Sequence, residues 1–190
     1  MRKLIFLTLL LLCTSILFSQ DIELEKSIWG IQVGVNPLGI HNESRLAKDI
    51  SLRSEIGFGF GFSGNSWAVM PQLMLEPRYY YNLNRRSKKS KQTRNNSGNY
   101  LSINLNYLSG NLSIKSEDVE VYPNISVIPM YGLRRNIGHN FNFEFAFGIG
   151  YGWTFKEYTG VDYITNENYT EKQVEEGISL GLRLAIGYAF

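Results

Sequence analysis

The two histidines are the side chains of this sequence best suited to act as a general base. His41 lies close to Glu43 and Ser44, and His139 lies in a short polar stretch. A hydrolytic site needs a histidine, a nucleophile such as serine, and an acid within hydrogen-bonding reach of one another. Neither histidine belongs to a recognisable set of this kind, so we assign no catalytic residues. Metal-ligand spacing of the His and Cys type is also missing, and we expect no metal or other cofactor.

A second group consists of charged side chains on the otherwise small or polar faces of alternating segments. Its members are Glu43, Arg53, Glu55, Glu76, Arg78, Arg134, Glu144, Lys156 and Arg183. Acids and bases occur in similar number, and in a shared interior they should pair, because isolated buried charges are costly. We therefore predict a charge network that fills a narrow lumen. The alternative is a narrow, porin-like path for ions or small solutes through the same charges.

The elements that would position these charges are β-strands, and segment 140–156 shows the pattern most clearly. Its large apolar residues share one face: Phe141, Phe143, Phe145, Phe147, Ile149, Tyr151, Trp153 and Phe155. The opposite face carries small or polar residues, and a period of two is typical of a strand. A soluble strand would have to cover eight large apolar groups with a second layer. A closed barrel with its apolar face toward lipid and its polar face inside fits better.

The same alternation divides the rest of the chain into strands. The predicted strands are 27–36, 38–45, 50–62, 66–82, 98–109, 120–135, 140–156 and 177–190. Asn36 and Pro37 shift the apolar phase by one residue, which we interpret as a turn; one bulged strand over 27–45 is the alternative. The predicted fold is an all-β, transmembrane, antiparallel, up-and-down β-barrel of about eight strands. A soluble sandwich with an aromatic core is the competing fold.

The N-terminus has the pattern of a cleaved signal peptide. Arg2 and Lys3 precede the apolar run 4–12, and Ser19 stands at a plausible cleavage point. We predict a signal peptide at 1–19 and a barrel domain at 20–190; a membrane-anchoring helix is the alternative. Cys13 belongs to the signal, so the mature chain lacks cysteine. Removing Arg2 and Lys3 from 19 basic residues leaves 17 against 17 acidic ones, which gives no argument for nucleic acid as a partner.

The last strand carries a short terminal motif. A polar residue, Arg183, is followed by the small Ala185 and by the outward aromatics Tyr188 and Phe190. This ending resembles the assembly signal of small Gram-negative outer-membrane β-barrels of the OmpA/OmpX type, in which a glycine occupies the position of Ala185. The resemblance implies an outer-membrane location in the cell envelope. It also implies handling by periplasmic chaperones and insertion by the outer-membrane assembly machinery.

Aromatic residues toward the strand ends are expected at the two membrane interfaces, in contact with outer-membrane lipid. They are Trp29, Trp67, Tyr79, Tyr81, Tyr107, Tyr131 and Trp153. Both chain ends are assigned to the periplasmic side, because the strand count is even. On that topology the connections 46–49, 83–97 and 136–139 are periplasmic, and those at 37, 63–65, 110–119 and 157–176 face outside.

The two long connections differ in charge. The connection 83–97 is wholly basic and is expected to be a solvated loop near anionic groups, whereas 157–176 is an acidic loop that could bind an external ligand. The expected function is a structural or surface-interaction role without catalysis. The alternatives are a narrow channel for small solutes or ions and a lipid-modifying outer-membrane hydrolase that uses His41 or His139.

Overall fold

A computed structural model describes residues 22–35, 38–117, 119–161 and 168–190. The predicted signal peptide at 1–19 lies outside the described residues, as does the turn at 36–37. Within the described ranges the dominant element is the β-strand, as expected from segments that alternate with a period of two. No helix in these ranges is long and apolar enough to span a membrane.

Nine strands and one short helix make up the described chain. The strands are β1 (Ser27–Val35), β2 (Leu38–Ala47), β3 (Ile50–Ser63), β4 (Ser66–Tyr79), β5 (Asn99–Leu108), β6 (Ile114–Lys115), β7 (Asn124–Ile137), β8 (Phe141–Val161) and β9 (Asn168–Ala189). The helix α1 (Leu83–Ser87) and a 3-10 turn (Arg94–Asn96) lie between β4 and β5.

Eight of these strands form a closed ring of antiparallel pairs. The order is β3-β2-β1-β9-β8-β7-β5-β4, and β4 pairs back onto β3, while β6 adds two residues beside β4. The all-β antiparallel prediction is confirmed. β1 pairs with β2 from Ser27 and Ser44 to Gln32 and Gly39, so the alternative of one bulged strand over 27–45 is wrong. One sheet closing on itself also replaces the two stacked sheets of a sandwich.

The ring reverses the usual distribution of polar and apolar side chains. In the described residues 39 large hydrophobic side chains are exposed, whereas the buried set contains 12 apolar and 20 polar or charged residues. Most inward positions of the strands carry Arg, Glu, Asn, Gln, Ser or Gly, and most outward positions carry Ile, Leu, Val or aromatics. A soluble monomer rarely exposes a contiguous apolar surface larger than a few hundred Å².

Two prolines lie at interruptions of the ladder. The pairing of β4 with β5 skips Pro77, and the pairing of β7 with β8 skips Pro129. Proline has no N–H to donate, so it is tolerated where a rung is missing. The missing N–H predicts poorly paired rungs at Pro71, Pro77, Pro123 and Pro129. Pro77 and Pro129 agree with this prediction, whereas Pro71 lies opposite Phe58 in the ladder of β3 and β4, and Pro123 precedes β7.

The connection 83–97 closes one end of the ring. Its basic side chains are exposed or half-buried, as expected of a solvated loop, but that description misses the residues that point inward. Leu83 is buried with Leu24, and the 3-10 turn buries Asn95 and Asn96. The backbone N–H of Glu25 donates to the amide oxygen of Asn96 at 3.0 Å. Asn95 and Asn96 have φ of 52° and 55°, a region that asparagine tolerates better than most residues. The strongly basic composition concealed these inward amides, and we call 83–97 with segment 22–26 the cap.

The predicted acidic loop 157–176 is largely a hairpin of β8 and β9. β8 continues to Val161 and β9 begins at Asn168, while the tip 162–167 lies outside the described residues. Glu157 pairs with Lys172 across the hairpin at 3.0 Å, and Lys156 pairs with Glu175 at 2.6 Å. Opposite charges facing each other across two strands favour pairing. The sequence interpretation was wrong here because it took the loss of apolar alternation as the end of the strand.

Candidate functional site: the buried charge network

Four arginines and four glutamates meet in the interior of the ring. They are Glu43 on β2, Arg53 and Glu55 on β3, Glu76 and Arg78 on β4, Arg134 on β7, Glu144 on β8 and Arg183 on β9. Residues two apart on one strand share a face, which turns both members of each i, i+2 pair inward. The strand register adds opposite-charge neighbours, because Arg53 lies beside Glu76 and Arg134 beside Glu144. We call these eight residues the charge network.

Glu144 is the centre of the charge network, because its carboxylate reaches all four arginines. One oxygen accepts from Arg78 at 2.6 Å and from Arg183 at 3.2 Å. The other lies 3.0 Å from a guanidinium nitrogen of Arg134 and 3.5 Å from one of Arg53. A single carboxylate therefore ties together side chains from four other strands.

The remaining carboxylates distribute the arginines around this centre. Glu43 lies 2.9 Å from Arg134 and 3.3 Å from Arg78. Glu76 lies 2.8 Å from Arg78 and 2.7 Å from Arg183. Since every one of these groups is at most 3% exposed, the pairs lie in a low-dielectric interior where partnership is required.

Neutral hydrogen bonds complete the carboxylates. Glu43 accepts from the Ser51 hydroxyl and from the Asn96 amide, both at 2.8 Å, and the second bond joins the network to the cap. Glu76 accepts from the Ser102 hydroxyl at 2.7 Å, and Glu55 from the Gln32 amide at 2.8 Å. A buried charge becomes tolerable when its partner charges and hydrogen bonds are both present.

Two tyrosines belong to the same interior and were missed as site residues. The Tyr100 hydroxyl donates to Glu144 at 2.7 Å, and the Arg78 guanidinium lies 4.3 Å from the Tyr100 ring centre. The Tyr80 ring packs at 5.4 Å from that of Tyr100, and burial raises the pKa of the Tyr80 phenol. A Cβ at Gly132 would overlap the Tyr100 ring, so glycine makes room for it. On β5 the even-numbered residues face inward, so the alternation in the sequence was the signal that could have placed Tyr100 inside.

Lys156 does not join the charge network. It lies on the projecting part of β8, where its side chain is 23% exposed and pairs with Glu175. The other eight predicted members converge, whereas the extension of β8 carries Lys156 beyond them. An inward-facing position therefore does not place a side chain in the charge network when its strand extends beyond the neighbouring strands.

Within the described residues, His41 is hydrogen-bonded to neither a serine nor an acid. His41 points into the interior and is 1% exposed, close enough to Gly30 that a Cβ there would lie 2.8 Å from the imidazole. Ser44 lies three residues away on the opposite face, and its hydroxyl donates to Asn42 at 2.6 Å. His139 is exposed in the turn between β7 and β8. The described ranges also contain no group of three His, Cys, Asp or Glu suited to hold a metal ion.

The predicted interface aromatics lie on the outer surface at both ends of the ring. Toward the cap are Trp29, Tyr79, Tyr81 and Tyr131, and toward the opposite end are Trp67, Tyr107 and Trp153. The residues of the terminal motif lie on both faces of the sheet. Arg183 and Ala185 are buried inside, while Tyr188 and Phe190 point outward. The backbone N–H of Phe190 donates to the carbonyl of Trp29 at 3.0 Å, which ties the chain end to β1.

Glu144→Gln keeps the shape of the central side chain but leaves four arginines with three carboxylates. We expect this variant to lose about 3–5 kcal/mol of unfolding free energy, because removing one partner leaves buried charge unpaired. Glu175→Gln breaks an exposed pair and is the matched control, with an expected loss of at most ~1 kcal/mol. Urea unfolding followed by tryptophan fluorescence measures both.

Adding Arg134→Gln to Glu144→Gln restores the balance of charges. The double variant should be more stable than the sum of the two single losses predicts, since the two residues are in contact. Additive losses, or equal effects of Glu144→Gln and Glu175→Gln, would contradict the central role of Glu144.

Comparison of the chain with family models, with curated proteins and with solved structures gives no match. The features of the described residues that bear on function are the charge network of four acids and four bases, the cap and the apolar outer surface.

Proposed function

We propose that this chain is an integral β-barrel protein of a Gram-negative outer membrane, with a filled lumen and a structural or surface-interaction role. The observation that carries the proposal is the reversal of polarity: eight charged groups lie inside the ring and its outer surface is apolar. Lipid is the solvent that suits such a surface. A closed ring also satisfies the other requirement of a bilayer, because it pairs backbone groups between neighbouring strands.

The height of the apolar band supports this proposal. On β3 the outward residues from Leu52 to Phe62 are apolar except for Ser54, over a span of ten residue intervals. At ~3.3 Å per residue and a strand tilt of about 40°, this span is about 25 Å high. Outer-membrane barrels carry an apolar band of about 25 Å, flanked by aromatic residues at both interfaces. The aromatics at the two ends of the ring correspond to those flanks.

A structural role is favoured over conduction. Eight strands enclose an interior that side chains can fill. Here the charge network crosses that interior from five strands besides that of Glu144, and the cap covers one end with Leu24 and Leu83. An ion would have to displace paired charges to pass. The exposed hairpin of β8 and β9 is the surface offered to external partners, and a ligand at 157–176 stays a prediction.

The hydrolase alternative gains no support from the site. Neither nitrogen of His41 has a hydrogen-bond partner in the described residues, although Glu43 and Glu55 share its inward face, and His139 is exposed in a turn. A hydrolase needs these groups within hydrogen-bonding reach. We therefore assign no enzymatic activity.

Ile103→Arg tests membrane insertion. Ile103 is 47% exposed at the middle of β5. Placing arginine there should cost about 2–4 kcal/mol if the position faces the bilayer centre, and so reduce insertion into lipid vesicles. Leu112→Arg is the matched control, since Leu112 is 71% exposed in the connection after β5 and outside the apolar band. Equal insertion of both variants, or native protein recovered in a soluble fraction without detergent, would overturn the proposal.

A filled lumen predicts that the protein conducts no ions. Purified protein added to a planar lipid bilayer should give no steady unitary currents at either polarity, because the charge network and cap occupy the path. A porin of known conductance is the positive control. Reproducible unitary currents from the folded protein would favour the channel instead.

The terminal motif predicts dependence of assembly on Phe190. Deleting Phe190 should lower the yield of folded protein in the outer membrane and increase periplasmic degradation. The reason is that the proposed signal for the assembly machinery would lack its final aromatic residue. Phe190→Tyr keeps an aromatic ring and is the control. Wild-type amounts of heat-modifiable protein after the deletion would argue against this role.

A further inference from the structure

A small cavity lies next to the charge network, toward the end of the ring opposite the cap. It has a volume of about 180 Å³ and is lined from β4, β5, β7 and β9. Apart from Arg183, its polar lining is made of uncharged amides and hydroxyls: Gln72, Asn104, Asn106, Asn124, Ser126 and Ser179. We call this cavity the amide cup. Its chemistry differs from the adjacent layer, where almost every polar group carries a charge.

A glycine on β9 borders the amide cup. Gly181 is part of its lining. A Cβ at Gly181 would lie 3.0 Å from Ile128 and 3.1 Å from the terminal methyl of Met130. A larger residue there would press on both of these lining side chains.

The amide cup contains polar groups that the protein itself leaves poorly satisfied. Asn104 is 5% exposed, and its one hydrogen bond within the described residues runs from the amide nitrogen to the thioether sulfur of Met74 at 3.6 Å. The side-chain oxygen of Asn106 is buried without a partner. An unsatisfied buried polar group costs about 1–3 kcal/mol, so a ligand that supplies the missing partners would be stabilised.

The charge and shape of the cavity limit the ligand class. Arg183 borders the amide cup, but it already contacts Glu76 and Glu144 in a set of four acids and four bases. A charged ligand would disturb that balance, whereas a neutral one would not. Side-chain amides both donate and accept, as hydroxyl groups do. The volume corresponds to about six waters at ~30 Å³ each, which suits one small ring.

We propose that the amide cup binds one neutral sugar ring. The amides and hydroxyls would pair with the sugar hydroxyls, while Met74, Ile128 and Met130 offer an apolar surface to its C–H groups. In the proposed orientation the cup faces the cell exterior. The site is a property of the ring interior and goes beyond the membrane proposal, on which its geometry does not depend.

Saturation-transfer NMR tests the amide cup directly. The protein is held in an amine-oxide detergent, because detergents with sugar head groups would compete, and D-glucose, D-galactose and D-mannose are added in turn. At least one sugar should receive saturation from the wild-type protein. Asn104→Leu keeps the size of the side chain but removes its amide, and binding should weaken about tenfold, the effect of losing one hydrogen bond. Methyl glycosides of the same sugars distinguish two sources of the ligand. Binding of both the glycoside and the free sugar indicates a terminal glycan residue, and binding of the free sugar alone indicates a free monosaccharide.

Asn42→Leu is the matched control, since Asn42 lies on the outer face of β2 and bonds to Ser27. It should leave sugar binding unchanged. Ser179→Leu fills the cavity by a different change and should abolish binding, which keeps the test valid if Asn104→Leu does not fold. Heat-modifiable mobility verifies folding of each variant. No transfer to any sugar, equal binding by folded Asn104→Leu, or displacement by sodium acetate would overturn the proposal, and none of these results would affect the insertion test at Ile103.

Discussion

The contact of one carboxylate with four guanidinium groups is the interaction on which the rest of this structure depends. Glu144 can meet Arg53, Arg78, Arg134 and Arg183 only if the sheet bends until strands far apart in sequence face each other. Closure of the ring through β3 and β4 provides that geometry. Conversely, the charges would be intolerable without closure, because each would be buried away from both water and its partners.

Three layers with different chemistry follow along the interior. The cap uses asparagine amides and apolar side chains, the middle layer holds paired charges, and the amide cup is neutral. Asn96 links the first two layers through its bond to Glu43, and Arg183 links the second and third. This order places the charged layer between a closed end and a cavity with unsatisfied amides. Under the two proposals, the interior combines a filled lumen with a place for a small polar molecule.

The outer surface follows from the same inversion. When the polar residues of a two-faced strand point inward, its apolar residues must point outward, since successive side chains alternate between faces. On β9 this leaves Ile178 and Leu180 more than three-quarters exposed. Such a surface is unfavourable in water and favourable in lipid, which is why the interior charges and the membrane proposal are two consequences of one pattern.

The sequence by itself determined most of the strands and the face to which each side chain belongs. A period of two is a local property of the backbone, so the inward parity of Arg53, Glu55, Glu76 and Arg78 could be derived without knowing their neighbours. The turn between β1 and β2 was also available from the phase shift at Asn36 and Pro37, and the described pairing of these strands agrees with it.

Only the tertiary structure decided which groups meet. Contacts across a ring depend on the register and length of every strand, and neither is encoded in local alternation. That is why Lys156 lies outside the charge network, why β8 and β9 continue through the predicted acidic loop, and why the basic connection forms a cap. The central position of Glu144 and the amide cup likewise depend on several strands at once, and the order of residues in any one strand does not contain them.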